Sequence, residues 1–271
     1  MSVPRLSVAV ATAERLEELG RCLDGLLAGD VAPAEIVVVD QGSELSAEET
    51  VRQRDAASTP LVHVQQRARG LSRSRNAGIE RTSGGAVAFT DDDCVPSATW
   101  VGAIERALAD GADAVTGPVL PLGPEQPGLF AVSSRTSMVR HDYRGAVVPW
   151  AVGTGANLAV RRDWIERVGL YDERLGVGSR GRAGEDMDFI HRLLRAGATI
   201  RYEPDAVVYH ARQSAGRRRK TRSGYGRGVG ACCGIWLRRR DLTALTVLGH
   251  WLVMRANLLA RALVRRRWRV A

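Results

Sequence analysis

The sequence predicts an α/β fold: a mixed, mostly parallel sheet flanked by helices, followed by a basic helical extension at the C-terminus. Short apolar runs rich in β-branched residues alternate with segments whose leucines recur at helical spacing. Such strand–helix alternation builds a sheet covered on both faces. The final 60 residues change character, turning glycine- and arginine-rich and then apolar.

Residues 6–11 (LSVAVA) read as the first buried strand. Leu16, Leu19, Leu23, Leu26 and Leu27 then share a helical face, with Glu17, Glu18 and Arg21 between them. Residues 35–40 (EIVVVD) form a second strand and 61–65 a weaker third. Residues 75–81 belong to a short helix, and 86–90 (AVAFT) form the fourth strand. Trp100, Val101, Ile104, Ala107 and Leu108 mark an amphipathic helix with Ser97 as its expected cap. Right-handed crossovers place functional residues at the carboxyl ends of such strands, so Asp40 and Asp91 should share a rim.

The rhythm changes after Gly117, where residues 117–128 read as a loop. Residues 157–161 suggest a strand, and Asp163 is expected to cap a helix carrying Trp164, Ile165 and Val168. A glycine-rich loop, 176–184, opens a helix with Met187, Ile190, Leu193 and Leu194 on one face and Gly197 as its stop. Residues 199–202 and 206–210 read as short strands. The division expected is a main unit, 1–211, with halves 1–116 and 117–211, and an appended tail, 212–271. Within the tail, 212–227 is expected to be a mobile basic loop. Residues 242–264 are apolar but interrupted by His250, Arg255, Asn257 and Arg261. Those interruptions argue against a spanning helix and for a basic amphipathic one.

The chain has 271 residues and a net charge of +9, and Lys220 is its only lysine. Arginine's planar fork suits phosphate, but basicity alone admits nucleic acid, anionic lipid or a phosphorylated small molecule. Cys22, Cys94, Cys232 and Cys233 lack C-x-x-C spacing, which points to free buried thiols in a reducing compartment. The N-terminus has no signal-peptide pattern, so a cytoplasmic protein is expected.

Three clusters carry chemistry. Asp91-Asp92-Asp93 places three carboxylates at a strand end, where mutual repulsion is relieved by a hard divalent cation or by solvent. A solvated acidic turn is the alternative reading. Glu185-Asp186 opens a helix after a glycine-rich loop, either compensating the helix dipole or presenting a general base. Arg67, Arg69, Arg73 and Arg75 surround Gly70 ahead of a helix, forming an anion site or a solvated charged face.

The segments VAVATAER, EIVVVDQGS, GLSRSRNAGI, FTDDDCVP, GTGANLAVRR, VGLYDERL and GEDMDFIHRLLRAG, in this order, resemble a family 2 glycosyltransferase with the GT-A fold. The resemblance implies an inverting, metal-dependent enzyme that moves a hexosyl or deoxyhexosyl group from a nucleotide-sugar. It makes 1–116 the donor-binding half and 117–211 the acceptor half. Thr12, Glu14, Asp40 and Gln41 would line the nucleoside pocket. Arg69, Gly70, Arg75 and Asn76 would approach base and diphosphate, with Asp91 and Asp92 beside them. Asp93 and Asp91, joined by His210, would hold Mn²⁺ or Mg²⁺. Asp186 would be the base and Glu185 its neighbour, while Trp150, Gly153, Gly155 and Asn157 would shape the acceptor side. The chain departs from the family at Ala13-Glu14, where an aromatic and an amide are usual. It departs again at Gln41, where an aspartate usually reads the pyrimidine edge.

The implied partners are a nucleotide-sugar donor and a glycan, lipid-linked or small-molecule acceptor. Peripheral contact through 242–271 would place the protein at the inner membrane face, and no nucleic-acid partner is expected. A dinucleotide-dependent oxidoreductase would need G-x-G-x-x-G after the first strand, where this chain has ATAER. The remaining alternative is a non-enzymatic basic module that binds anionic membrane or nucleic acid. Such a module has no use for Asp91, Asp93 and Asp186.

Overall fold

The computed structural model describes residues 4–42, 46–54, 59–67, 70–132 and 134–267. In chain order, β1 (Leu6–Thr12), α1 (Leu16–Leu27), β2 (Glu35–Asp40), α2 (Glu48–Arg52), β3 (Leu61–Gln65), α3 (Leu71–Arg81) and β4 (Ala86–Asp91) form the first half. They are followed by β5 (Cys94–Pro96), α4 (Trp100–Ala109), β6 (Ala114–Thr116), β7 (Val119–Pro121), β8 (Leu129–Phe130), β9 (His141–Tyr143) and α5 (Pro149–Val152). Then come β10 (Leu158–Arg161), α6 (Arg162–Val168), α7 (Glu185–Arg195), β11 (Ile200–Tyr202), β12 (Val208–His210) and β13 (Gln213–Ser214). The long helices α8 (Ala215–Arg238) and α9 (Thr243–Arg267) end the described chain.

The main sheet has the order β3-β2-β1-β4-β10-β6-β11-β9. The strands β1 to β4 run parallel, and β10 is inserted antiparallel between β4 and β6. The expected mixed, mostly parallel α/β sheet is therefore the fold. The central strands β1, β2 and β4 are buried almost throughout because alternate residues feed two cores. Val8, Val10, Ile36 and Val38 pack with Leu19, Leu23, Trp100 and Ile104 on one face. Ala9, Val87, Phe89 and Leu158 pack with Ile79, Trp164, Phe189 and Leu193 on the other.

Register sets the rim. Thr12 lies opposite Asp40, and Ala11 opposite Asp91, so the carboxyl ends of β1, β2 and β4 meet as expected. A second sheet, β5-β12-β7, pairs His210 with Cys94 and so hangs His210 beside the acidic run. The two sheets are tied by Asn157, whose Oδ1 accepts from Trp100 Nε1 at 2.9 Å. Its Nδ2 donates to the carbonyls of Pro118 (3.0 Å) and Ala206 (2.7 Å).

Several local expectations shift. Thr99, not Ser97, holds the N-cap position of α4, and Ser97 instead accepts the Trp100 N–H on its carbonyl. Asp163 sits in the first turn of α6 rather than at its cap. The helix α3 starts at Leu71, four residues before 75, because tertiary contacts satisfy its polar residues; Ser72 donates to the Leu175 carbonyl at 2.7 Å.

The largest correction concerns 212–227, expected as a mobile loop. From Ala215 onward it is helix, the first part of the 24-residue α8. Close packing at two glycines holds it against the rest of the fold. A Cβ on Gly228 would lie 2.7 Å from the Ala183 backbone, and one on Gly184 would lie 2.8 Å from Cys232 Sγ. Met187, Val229, Cys232, Trp236, Ala244 and Val247 form a third core that fixes α8 and α9 to α7. Among the described residues no helix is long and apolar enough to cross a membrane.

Replacing Asn157 with Ala would leave the buried Trp100 indole N–H and the Ala206 carbonyl unpaired, while the Pro118 carbonyl keeps the Val208 N–H. Each such group costs about 1–3 kcal/mol, so N157A should lose about 3 kcal/mol or more in urea unfolding. An unchanged midpoint would contradict its role as the tie between sheets.

Candidate active site

The acidic run turns the corner from β4 to β5, and its three carboxylates have different surroundings. Asp91, the most exposed of them, pairs with Arg75 Nη2 at 3.2 Å. Asp92 is fully buried; it accepts from Thr12 Oγ1 at 2.8 Å and pairs with Arg15. Burial raises Asp92 to about 7, with Arg15 opposing the rise and Asp93 adding to it. Asp93 pairs with Arg15 and with Arg217 Nη2 at 3.3 Å. The Arg217 contact comes from the first turn of α8, so the basic helix reaches the acidic corner.

His210 lies with Nε2 3.7 Å from Asp93 Oδ1. Its Nδ1 is 2.9 Å from the Ala211 carbonyl, which can only accept, so Nδ1 carries a proton and Nε2 is the atom turned to the acidic corner. Ligand atoms from Asp91, Asp93, Cys94 and His210 all lie within 4.8 Å of one another. Burial pushes the Cys94 thiol well above its usual range, so it stays protonated. Two carboxylates and one imidazole remain, a set that fits a hard divalent cation.

The β2 side of the rim is arranged differently. The Asp40 carboxylate accepts the N–H groups of Gly42 and Ala47, both at 2.7 Å, and His63 Nε2 lies 3.3 Å away. Gln41 Oε1 accepts the Gly70 N–H at 2.5 Å and so pins the start of α3. Glu14 follows β1 with a left-handed φ of 59°. Arg69 lies outside the described residues. Asn76 is buried under the site, and its amide exchanges two hydrogen bonds with the Tyr171 backbone, at 2.9 and 3.0 Å.

Arg75 joins the two halves. It is 4% exposed; Nη1 contacts Glu185 Oε1 at 3.0 Å, and the guanidinium sits 5.5 Å over the Tyr171 ring. A Cβ on Gly155 would come within 2.6 Å of Arg75 Nη1, so only glycine leaves room there. The Gly155 N–H donates to Asp186 Oδ2 at 3.0 Å, and the Met187 N–H to Oδ1 at 2.8 Å. Burial, with Asp186 adding to it and Arg75 opposing it, raises Glu185 to about 7.

A cleft of about 230 Å³ opens beside Asp186, lined by Trp150, Gly153, Thr154, Tyr225, Trp251 and Arg255 among others. The sequence-predicted residues Asp91, Arg75, Glu185, Gly155 and Asp186 thus form one connected line, with Trp150 and Gly153 at the cleft. Asn157 is set inside the fold instead, its amide used by three internal partners. Sequence reading gave Arg15 no role, although an arginine three residues past the Thr12 strand end was the available signal. Tyr225, Trp251 and Arg255 had no local signal at all, since helix packing alone brings them to Asp186.

The sheet thus ends its central strand β4 in the Asp91–Asp93 corner, tied through Arg75 to the acidic start of α7. Solved structures agree on the fold. The mannosyltransferase PcManGT of Pyrobaculum calidifontis, in complex with GDP-Man and Mn²⁺, has a TM-score of 0.64 at 19% identity, covering 97% of this chain and 81% of its own. GalNAc-T7 with UDP, GalNAc and Mn²⁺ has a TM-score of 0.62 at 17% identity, covering 79% and 45%. Among curated relatives, Glycosyltransferase AglE of Haloferax volcanii is 27% identical over 93% of this chain and 81% of its own. Succinoglycan biosynthesis protein ExoM of Rhizobium meliloti is 32% identical over 75% and 66%. The profile of Glycosyl transferase family 2 matches residues 7–169, and the chain belongs to that family.

Asp92 and Glu185 both keep their protons in the folded state to about 7, whereas unfolded carboxyls release theirs near 4. Between these values the native state holds more protons, so stability should fall as pH rises from about 4 to 7 and level off above. Thermal midpoints of the metal-free protein across that range check this. E185Q should flatten the slope, and a midpoint that rises with pH would contradict it.

Proposed function

We propose that the chain transfers a hexosyl or deoxyhexosyl group from a nucleoside-diphosphate-sugar to an acceptor hydroxyl in one displacement, with inversion at the anomeric carbon. The observation that carries this is the Asp91–Arg75–Glu185 bridge, which ties the Asp91–Asp93 corner to the start of α7, where Asp186 lines the cleft. The nucleoside lies along Thr12, Glu14, Asp40 and Gln41, and its diphosphate reaches the corner at Asp91 and Asp93. A divalent cation, Mn²⁺ or Mg²⁺, held by Asp93, Asp91 and His210 supplies charge neutralisation for the departing diphosphate. The Mn²⁺ in two neighbouring structures supports that choice.

Asp186 acts on the acceptor. Each of its oxygens accepts one backbone N–H, which fixes the carboxylate's direction and leaves lone pairs for the cleft. It takes the hydroxyl proton as the acceptor oxygen bonds to the anomeric carbon, and the bond to phosphate breaks with its electron pair leaving on the nucleoside diphosphate. Glu185 is held against Arg75 and positions the base helix rather than serving as a covalent nucleophile. Arg217 passes from Asp93 to the diphosphate when donor binds, closing the site from the tail side. The acceptor is a glycan, a lipid-linked sugar or a small hydroxyl compound, and the tail 242–271 meets the inner membrane surface.

Replacing Asp186 with Asn should cut transfer about 10²–10⁴-fold while donor binding persists. D93A should abolish the Mn²⁺-dependent thermal shift given by UDP-, TDP- or GDP-sugars, of which the true donor stands out by mass action. Transfer that survives both changes in folded protein would defeat the enzyme reading. A product retaining the donor's anomeric configuration would defeat single displacement.

A further inference from the structure

The charge of this chain is segregated. Residues 212–271 carry 16 basic side chains against the single acid Asp241, a balance of +15, so the preceding 211 residues carry −6. The net +9 is therefore a property of the tail, and α9 contains no acidic residue.

The helix α9 has two apolar faces. Ala244, Val247, Leu248 and Trp251 pack against α8 and the α7 region. Leu245, Leu252 and Leu259, seven residues apart, fall within about 40° of arc at 100° per residue and are 56%, 53% and 62% exposed. Leu242 and Val253 widen this strip, at 68% and 61% exposed. Thr246, His250, Asn257 and Arg261 take the remaining arc. The same helix supplies Trp251, Met254 and Arg255 to the cleft that holds Asp186. Within that cleft Arg255 Nε is buried without a hydrogen-bond partner, and its guanidinium lies 5.1 Å over the Trp251 ring.

We infer that the exposed Leu245–Leu252–Leu259 face of α9 lies on an anionic membrane surface and opens the Asp186 cleft at the bilayer, so that the acceptor is a membrane-anchored molecule. This rests on the sugar-transfer reading and names the acceptor class for the same site. Charge selects the occupant. A second copy of the chain would bring two tails of +15 together, without acids on α9 to pair across a helical interface. Nucleic acid would leave the leucine strip in water. An anionic leaflet satisfies both features: each basic residue near it favours binding roughly fivefold, and the leucines enter the acyl boundary. Arg255, next to the cleft's aromatic wall, is placed for an anionic group on the acceptor.

The test is flotation of the full chain with vesicles of phosphatidylglycerol and phosphatidylcholine in equal parts, against phosphatidylcholine alone. At least tenfold stronger partitioning to the anionic vesicles is expected. The variant L252D/V253D/L259D should lose that binding while keeping the wild-type thermal shift with nucleotide-sugar and Mn²⁺. Brominated acyl chains should quench a part of the tryptophan fluorescence that is missing in W251F, since Trp251 lines the cleft. Unchanged flotation of the triple variant overturns the docking face, and so does a wild-type dimer in sedimentation that the variant dissolves. Quenching identical in W251F overturns the placing of the cleft. A missing donor shift would instead count against the sugar-transfer reading and leave the flotation result standing on its own.

Discussion

The interaction on which the site depends is one buried guanidinium. Arg75 reaches from α3 to Asp91 at the end of β4 and to Glu185 at the start of α7, 110 residues further on. A charge taken out of water is tolerated only if its partners are complete, and removing one partner of such a set typically costs about 3–5 kcal/mol. Arg75 is nearly complete: two carboxylates in line with its fork and the Tyr171 ring beneath it. Neighbouring features accommodate this. Gly155 leaves space where any side chain would collide with the fork, and Asn76 holds the Tyr171 backbone in place. The acidic corner after β4 and the start of α7 cannot shift independently while this bridge holds.

The acidic corner follows a different logic, since its charges are balanced by groups able to leave. Asp92 is buried with Thr12 and Arg15 and belongs to the framework. Asp93 is contacted by Arg15, by Arg217 and by His210 Nε2. Arg217 is half-exposed and stands in the first turn of a helix, where the chain enters from β13. An exposed arginine on a carboxylate is a weak contact, so of the two arginines on Asp93 it is Arg217 that can leave, while Arg15 stays fixed to buried Asp92. The run of three aspartates thus separates into a buried member, Asp92, and two flanking members whose contacts reach Arg75, Arg217 and His210.

Much of this was legible in the sequence, for reasons that differ by region. β1, β2 and β4 are buried on both faces, so their composition alone declares them, and parallel crossovers then force Asp40 and Asp91 onto one rim. Glu185 and Asp186 were visible as an acidic pair after glycines, although only the fold separates them into a buried partner of Arg75 and a cleft carboxylate. Asn157 illustrates what local reading cannot reach. A polar residue beside glycines suggests a ligand contact, yet its three partners lie 39 to 57 residues away and are all internal. Arg15 was missed because its carboxylates are about 80 positions distant, across a neighbouring strand.

The misreading of 212–227 has the most instructive cause. Glycine lowers intrinsic helix propensity by about 1 kcal/mol per residue, and a segment with glycines among clustered arginines looks unable to fold. In α8 that loss is offset by what the missing side chains permit. Gly228 lets the helix backbone lie on Ala183, where a Cβ would collide, and Cys232, one turn on, continues the row against Gly184. Gly184 is in turn the residue from which α7 and its Asp186 begin. Trp236 then locks the far end by donating to Asp188 on α7 at 2.8 Å. The tail is therefore built onto the base helix itself, and the cleft has no complete wall without it. Binding any surface through α9 would orient Asp186 with it, because no loop intervenes to absorb the motion.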